Sequence, residues 1–465
     1  MLETLRSLGR AYERLISLKQ ERRLYLVGGV LRDLLLRRPC TDFDFAVSGS
    51  GIDFAREFAR RTRSSLVVLS EPDDEARVVY RRTVTFDFNG LGDKPIEDDL
   101  QRRDFTINAL ACEILPDSAG EIIDLFGCRA DIANRIVRPV SSSSLAADPL
   151  RLLRAIRFAL ELGFAIDPDV YEQAQNISLN RVAGERIGAE LLRIMEQPGS
   201  FVYIKRLVEL GRLVEILPAL AEVLSEPELR EHSLQTYFKI EEIVHGNSFF
   251  SRFEPEWQSY FAGSLDVGAE ETPPAFRRAL LKLAGLLHDL AKPRTRFLTS
   301  EGEVHFYGHD SLGSRQAYRM AIDRLRLSRQ QAKVIRTLVQ EHMRLHLLAT
   351  APDLSERAIR RYFRDLGQEA FGLMILCYAD GWATAGRTLH LEDTITRMIE
   401  QRRAEEAKQR IKRFVTGHDL IALGMKPGPA FKVILQELED LQVEGRIRSK
   451  EEGLEYLKNY LAQGS

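Results

Sequence analysis

The chain has 465 residues, of which 44% are hydrophobic and 29% charged, and its formal net charge is −2. That composition fits about three globular domains with a real core and excludes a globally basic surface, so any nucleic-acid site must be a local patch. The four cysteines, Cys40, Cys112, Cys128 and Cys377, show neither metal spacing nor a disulfide framework, which favours a reducing cytoplasm. No signal peptide, membrane-length apolar run, repeat or low-complexity tract stands out.

In chain order, residues 1–23 read as one amphipathic helix leading into a buried strand over 24–27. Gly28 and Gly29 make a turn, and 30–36 suits a helix. The next strand carries Asp42 and Asp44. Side chains on a strand alternate, so these two carboxylates share one face while Phe43 and Phe45 take the other. Adjacent carboxylates repel unless a divalent cation lies between them, and glycines before a helix offer backbone N–H groups to phosphate. With Arg32 and Asp33 close by, these parts can hold a nucleoside triphosphate and two Mg²⁺ ions. A third carboxylate is expected at Asp87 in TVTFDFNG, where Val84, Phe86 and Phe88 form the opposite face; the alternative is a half-exposed strand residue. The runs SLVVLS and RVVY complete the strands and 53–63 reads as a helix, making 24–140 an α/β module.

Next comes DDLQRRDFTINALA. Its arginines suit bidentate phosphate contact, and Asp104 and Asn108 suit ribose hydroxyls; otherwise the run is a charged helix cap. In ADPLRLLRAIRFALELGF, Asp148 is a natural N-cap, Pro149 a natural first helical residue and Gly163 a stop. Arg151, Arg154 and Arg157 recur every three residues as a basic stripe. A carboxylate that accepts from an exocyclic amino group, beside a guanidinium that donates to a ring acceptor, would admit cytosine and adenine and reject uracil and guanine. Spacing alone equally allows a capped helix with a solvated stripe.

From Asp148 the pattern is helical almost to the end, with breaks expected near 225–232, over 264–274 and near Gly417. The expected division is a head over 1–140, a helical neck over 141–225, a helical middle domain over 226–400 and a small helical tail over 401–465.

The motifs GGVLRDLLLRRPCTDFDF, RRDFTINALA, DPLRLLRAIRFALELGF and ERIGAEL occur in that order and span about half of the chain. Together they resemble the class II tRNA nucleotidyltransferases, the CCA-adding enzymes, and their relatives the bacterial poly(A) polymerases. The resemblance implies an α+β fold with a polymerase-β-like head. Asp42 and Asp44 would hold Mg²⁺, and Arg103, Asp104 and Asn108 would contact the sugar or phosphates of CTP or ATP. Asp148 and Arg151 would read the base, and the neck and body would grip the acceptor stem of a tRNA. Two departures stand out. The family often has Glu-Asp where this chain has Ala147-Asp148, which loosens base selection. The segment from Asn89 to Pro95 is short where enzymes that make the whole CCA end carry a longer flexible loop, which leans toward C- or CC-addition.

In the middle domain His232, His288-Asp289, His309, His342 and Asp380 are good ligands for a divalent transition metal. A His-Asp pair in LLKLAGLLHDLAKP is a costly intrusion unless something binds it. This set resembles the HD phosphohydrolases, with His232, His288, Asp289 and Asp380 at a first metal and His309 and His342 near a second metal or a phosphate. The implied chemistry is hydrolysis of phosphate esters at RNA 3′ ends; an HD fold that binds metal without turnover is the alternative. Arginine runs at 315–329, in RAIRRYFR and at 402–413, and the tail with GMKPGPAF, suggest RNA contacts. Three functions stay in play: nucleotide addition to tRNA 3′ ends, poly(A) tailing, and an RNA-end phosphohydrolase with a non-catalytic head. No membrane role is expected.

Overall fold

The computed structural model describes residues 2–19, 22–115, 118–246, 248–262, 274–386, 388–410, 414–425, 428–443 and 446–463. Its contacts divide the chain into two compact units, Met1–Met343 with Phe371–Gly386, and Arg344–Ala370 with Arg387–Ser465.

The first unit opens on a mixed sheet of seven strands: β1 (Leu24–Val27), β2 (Asp42–Ser48), β3 (Ser65–Ser70), β4 (Glu75–Tyr80), β5 (Val84–Gly92), β6 (Leu110–Ile114) and β7 (Ala119–Asp124). Their order is β3-β4-β5-β2-β1-β6-β7, and within the sheet β2 and β5 alone run parallel. Alternation in β2 and β5 puts Phe43, Phe45, Phe86 and Phe88 on one face. There they stack with Phe54 and Phe58 of helix Gly51–Thr62 at ring separations of 5.0–6.2 Å. Burying six phenylalanines fixes the register of β2 on β5, because a one-residue slip would turn the rings to the other side. On that other side, Tyr25, Val27, Ala46 and Ala111 pack under Ile96 and Leu100 of helix Ile96–Gln101. The start of β2, carrying Asp42 and Asp44, extends past that cover.

Several expectations change here. Residues 1–23 form two helices, Leu2–Arg6 and Arg10–Lys19, parted at Gly9, whose φ of 55° a helix does not accommodate. β5 runs on to Gly92, paired through Gly90 with β2, so only 93–95 connect it to the next helix, shorter than the expected 89–95. The expected break over 225–232 narrows, because Pro227 begins a continuous helix, Pro227–His245. The neck and middle domain are not wholly helical. Ile136–Val137 pairs with Ala165–Ile166, and Arg296–Leu298 with Val304–Phe306. The expected 264–274 loop lies outside the described residues, apart from Pro274. No described helix is long and apolar enough to cross a membrane.

In the second unit helix Leu389–Arg410 runs through the expected boundary at 400–401 unbroken. Beyond it, Val415, Leu420, Ile434, Leu438, Leu441, Ile447 and Leu457 form a separate small core. Of GMKPGPAF, Lys426 and Pro427 lie outside the described residues, as do 411–413 of the last arginine run. In RAIRRYFR, Tyr362 is buried and donates its hydroxyl to the Ala370 carbonyl, and Arg361 and Arg364 pair with Asp365.

Candidate active site and metal centre

The parallel pairing of β2 and β5 sets Asp42 beside Thr85 and Asp44 beside Asp87, so all three carboxylates share one face. Thr85 donates its hydroxyl to Asp42 at 2.6 Å. Burial, reinforced by Asp87 and Asp42 and opposed by Arg103, lifts the Asp44 carboxyl to about 6. A strand pair that holds charge against such repulsion fits a divalent cation, and the donors are hard oxygens of the kind Mg²⁺ takes. Asp87 lies opposite Arg77 across the β4–β5 ladder and takes a bidentate pair from it, Nε to Oδ1 at 2.8 Å and Nη2 to Oδ2 at 2.7 Å. Its carboxylate is therefore turned to Arg77 as well as to the aspartate face.

Gly28 has a φ of 78°, and a Cβ there would lie 2.6 Å from Arg103 Nη1 and 3.1 Å from Asp44 Oδ2. The glycine is demanded by two side chains as well as by the turn. Its N–H bonds the Leu110 carbonyl at 3.1 Å, so it is not the phosphate donor that the sequence suggested. Arg32 clamps Asp33 and gives Nη1 to Asn108 Oδ1 at 2.6 Å. Asn108 in turn donates to Asp104 Oδ1 at 3.0 Å, and Arg154 grips Asp104 Oδ2 at 2.6 and 2.8 Å. Asp104 and Asn108 are both buried. Asp104 and Asn108, expected at the ribose, stand in a chain of internal bonds that fixes Arg32 and Arg154. Asp33 is spent on Arg32. Arg157, expected on an open stripe, is buried between Glu190 at 2.6 Å and Glu161 at 2.7 Å, because helix Arg151–Leu162 packs that side on helix Gly184–Glu196.

Asp148, expected as the N-cap, lies in the turn before the helix, whose N-cap is Leu150; one oxygen accepts from Leu150 N–H at 3.2 Å and the other binds Arg186 at 2.7 Å. Arg151 reaches Ser144 Oγ at 2.8 Å and the Arg102 carbonyl at 2.7 Å. These residues line one cleft of about 600 Å³ that runs from Asp42, Asp44 and Gly29 to Asp148 and Arg186. Eight arginines and no lysine line it, which favours planar, bidentate recognition of phosphate. Arg77, Arg186, Arg193 and Phe158 were missed from the sequence. Arg186 stands in the quoted ERIGAEL; Arg77 is visible only through strand register.

The middle domain gathers all six expected ligands from five separate helices or their ends. His288 and His342 follow the helices Pro274–Leu287 and Arg329–Glu341, and His309 begins helix His309–Arg319. In each of the three, Nδ1 donates to the carbonyl three residues back, at 2.7–2.8 Å, which leaves Nε2 as the inward lone pair. His232 and His288 bring their Nε2 atoms to 3.1 Å, as do His309 and His342. Two imine nitrogens meet so closely only across a proton or a cation, and nitrogens about 2.1 Å from one metal stand about 3 Å apart. His232, His288 and Asp380 form one triad, and Asp289, His309 and His342 the other. Asp289 is 1% exposed and neither oxygen makes a well-directed hydrogen bond. Oδ2 lies 3.3 and 3.2 Å from His232 and His288, while Oδ1 lies 3.7 Å from both His309 and His342. The donor set fits two transition-metal ions bridged by Asp289. Without them, burial disfavours a charged His288, yet Asp289 and Asp380 overcome it and raise its pKa to about 10; burial and then His288 push His342 down to about 4. Lys292, 2.6 Å from Asp289 Oδ2, was also missed; one helical turn after the aspartate, it was legible in HDLAK.

Known proteins share both sites' frames. Residues 24–138 match the Poly A polymerase head domain, 163–224 the probable RNA- and SrmB-binding site of polymerase A, and 229–383 the HD domain. The chain is 31% identical to the CC-adding tRNA nucleotidyltransferase of Thermus thermophilus over 93% of its own length and 92% of that protein. It is 28% identical to the A-adding tRNA nucleotidyltransferase of Deinococcus radiodurans over 94% and 95% of the two chains. In fold it is similar to the Thermotoga maritima CCA-adding enzyme complexed with tRNA (TM-score 0.58, 22% identity, 99% and 95% covered). It is likewise similar to a tRNA-processing enzyme with CTP (TM-score 0.62, 20% identity, 92% and 99% covered). An aspartate strand beside a cleft of arginines, in a chain so similar along its length to tRNA nucleotidyltransferases, makes this protein a member of the tRNA nucleotidyltransferase and poly(A) polymerase family.

Proposed function

We propose that this tRNA nucleotidyltransferase adds the two cytidines of the CCA end without a template. The observation that carries the reading is the connection of 93–95 between β5 and helix Ile96–Gln101, at the point where family members that build the whole end carry a longer loop. The Thermus thermophilus relative, named CC-adding, supports the same choice.

The chain's own groups would divide the work by charge. Asp42 and Asp44 would hold Mg²⁺, and the chemistry it would supply there is charge neutralisation of the triphosphate and a more acidic 3′-hydroxyl. Arg103, paired with Asp99 at 2.8 Å, lies within reach of the Gly28 turn and offers its charge to the triphosphate. Asp148 and Arg151 stand at the far end of the cleft as base readers. For Asp148 to take an amino group from the base, Arg186 must share or release it. The test is incubation of tRNA lacking its CCA end, and of tRNA ending in CC, with each single NTP. Two CTP-dependent additions and none with ATP support the reading. A single A added to the CC end, or a long ATP-dependent tail, overturns it.

A second activity is favoured by one observation, the buried Asp289 that turns one oxygen to His232 and His288 and the other to His309 and His342. We infer metal-dependent hydrolysis of phosphate esters at RNA 3′ ends in the HD domain. Substituting Asp42→Ala and Asp44→Ala should abolish nucleotide addition and leave this hydrolysis intact. If both activities survive those substitutions, the head is not the transferase site.

A further inference from the structure

The cleft is not the head's largest arginine-lined concavity. A second one, of about 640 Å³, opens between helix Arg10–Lys19, the end of helix Gly51–Thr62 and the β4–β5 turn. It lies on the helix-covered side of the sheet, at the strand ends where Asp42 pairs with Thr85. Its charged lining consists of Arg10, Arg14, Arg61, Arg63, Arg81 and Arg82, with no carboxylate.

The two arginine sets differ in how they are neutralised. In the cleft Arg77, Arg103, Arg154, Arg157 and Arg186 each hold a carboxylate at 2.6–2.8 Å. In the second concavity Arg61 is taken by Glu57 at 2.7 Å, and Arg81 lies 5.0 Å over the Tyr80 ring. Among the described residues, Arg10, Arg14, Arg63 and Arg82 have no carboxylate within ion-pair distance. Four uncompensated guanidinium groups facing one hollow repel one another, so the arrangement favours a ligand that brings several negative charges at once. A lone phosphate would neutralise too few of them. Arg10 and Arg14 are one helical turn apart, about 5–6 Å between Cβ atoms, a step comparable to that between successive phosphates of a nucleic-acid strand. The other two arginines extend the same row of charge across a helix end and a hairpin turn.

We propose that this concavity is a second polyanion site, which holds a stretch of RNA sugar–phosphate backbone outside the catalytic cleft. Binding there is sequence-independent and depends steeply on salt, because each phosphate contact releases counterions. Arg63 and Arg82 have φ of 55° and 64°, so Asn, which tolerates that conformation, is the replacement of choice.

The test measures tRNA-transcript affinity against salt concentration for the full chain and for the Arg10→Gln, Arg14→Gln, Arg63→Asn, Arg82→Asn variant, each checked by its Tm. The expected result is a loss of about tenfold or more in affinity at low salt, with the log–log salt slope smaller by about 3. An unchanged slope and affinity in a variant that melts like the parent overturns the proposal. Inorganic tripolyphosphate that raises the Tm of the parent but not of the variant, with RNA affinity unchanged, also overturns it, since the site would then belong to free polyphosphates. If the fourfold variant does not fold, the pairs Arg10→Gln with Arg14→Gln and Arg63→Asn with Arg82→Asn are read separately, and at least one must lower the slope by about 1–2.

Discussion

Single residues in the head do their work mainly by holding other residues. Asp104 is the clearest case. Burial alone would raise its pKa, but Arg154 and Asn108 outweigh it and hold the carboxyl below the ordinary value. A depressed carboxylate contributes stability that is present above its unfolded pKa of about 3.9 and is lost as acid titrates the folded form. Asp104→Asn should therefore lower stability at pH 7 by about 1–3 kcal/mol. It should also show a smaller further loss than the parent between pH 5 and pH 2.5, as measured by melts across that range. Arg186 donates to Asp148 at 2.7 Å at the other end of the cleft. Arg186 orients Asp148 together with the Leu150 N–H. Arg186→Gln should raise misincorporation of UTP relative to CTP several-fold while leaving Tm nearly unchanged; equal fidelity would remove Arg186 from base selection.

Elements are joined by close backbone approach and by buried ion pairs. Helix Gly184–Glu196 approaches 320–325 so nearly that a Cβ on Gly184 would lie 1.9 Å from the Arg324 carbonyl oxygen, and one on Gly188 2.1 Å from that of Leu325. Arg324 seals the contact by donating to the Glu215 carbonyl at 2.7 Å. The glycine in ERIGAEL thus serves packing of the neck on the HD helices, and Gly188→Ala should destabilise the protein by at least 1–3 kcal/mol, as overpacking does at about that scale. Lys282, wholly buried, ties helix Pro274–Leu287 to Glu241 at 2.7 Å and to the Gln197 carbonyl at 2.9 Å. Removing one partner strands the other charge. Lys282→Met should cost about 3–5 kcal/mol in denaturant unfolding, and adding Glu241→Leu should recover much of it.

Across the whole molecule, the two candidate sites offer metal donors of different character. The head offers carboxylate oxygens and the middle domain mostly imidazole, so a transition metal should sort to the latter. Asp289→Asn removes the charge shared by both triads. The purified variant should carry less than about half of the parent's bound transition metal by elemental analysis, since weakening a ligand or its partners lowers metal affinity about 10- to 100-fold, while CTP addition continues. A variant with full metal content would show that Asp289 is not a bridge. Both sites lie within one contact unit, whereas the tail builds its own core.

How much of this was legible in the sequence depends on how local each cause is. Alternation along β2 sufficed to put Asp42 and Asp44 on one face, and ordered motifs sufficed to single out the His and Asp residues that cluster in the middle domain. The sequence by itself determined which residue types were present for chemistry, because strand period, capping and ligand preference act over a few neighbours. Only the tertiary structure decided which of those groups face a ligand and which are consumed by a partner. Arg77 meets Asp87 through strand register, Asp104 turns inward to Arg154, Arg157 is closed off by a packed helix, and four arginines from three segments line one hollow. These outcomes depend on pairings between distant segments, and the energy of a buried or unbalanced charge is set by whatever the fold brings beside it.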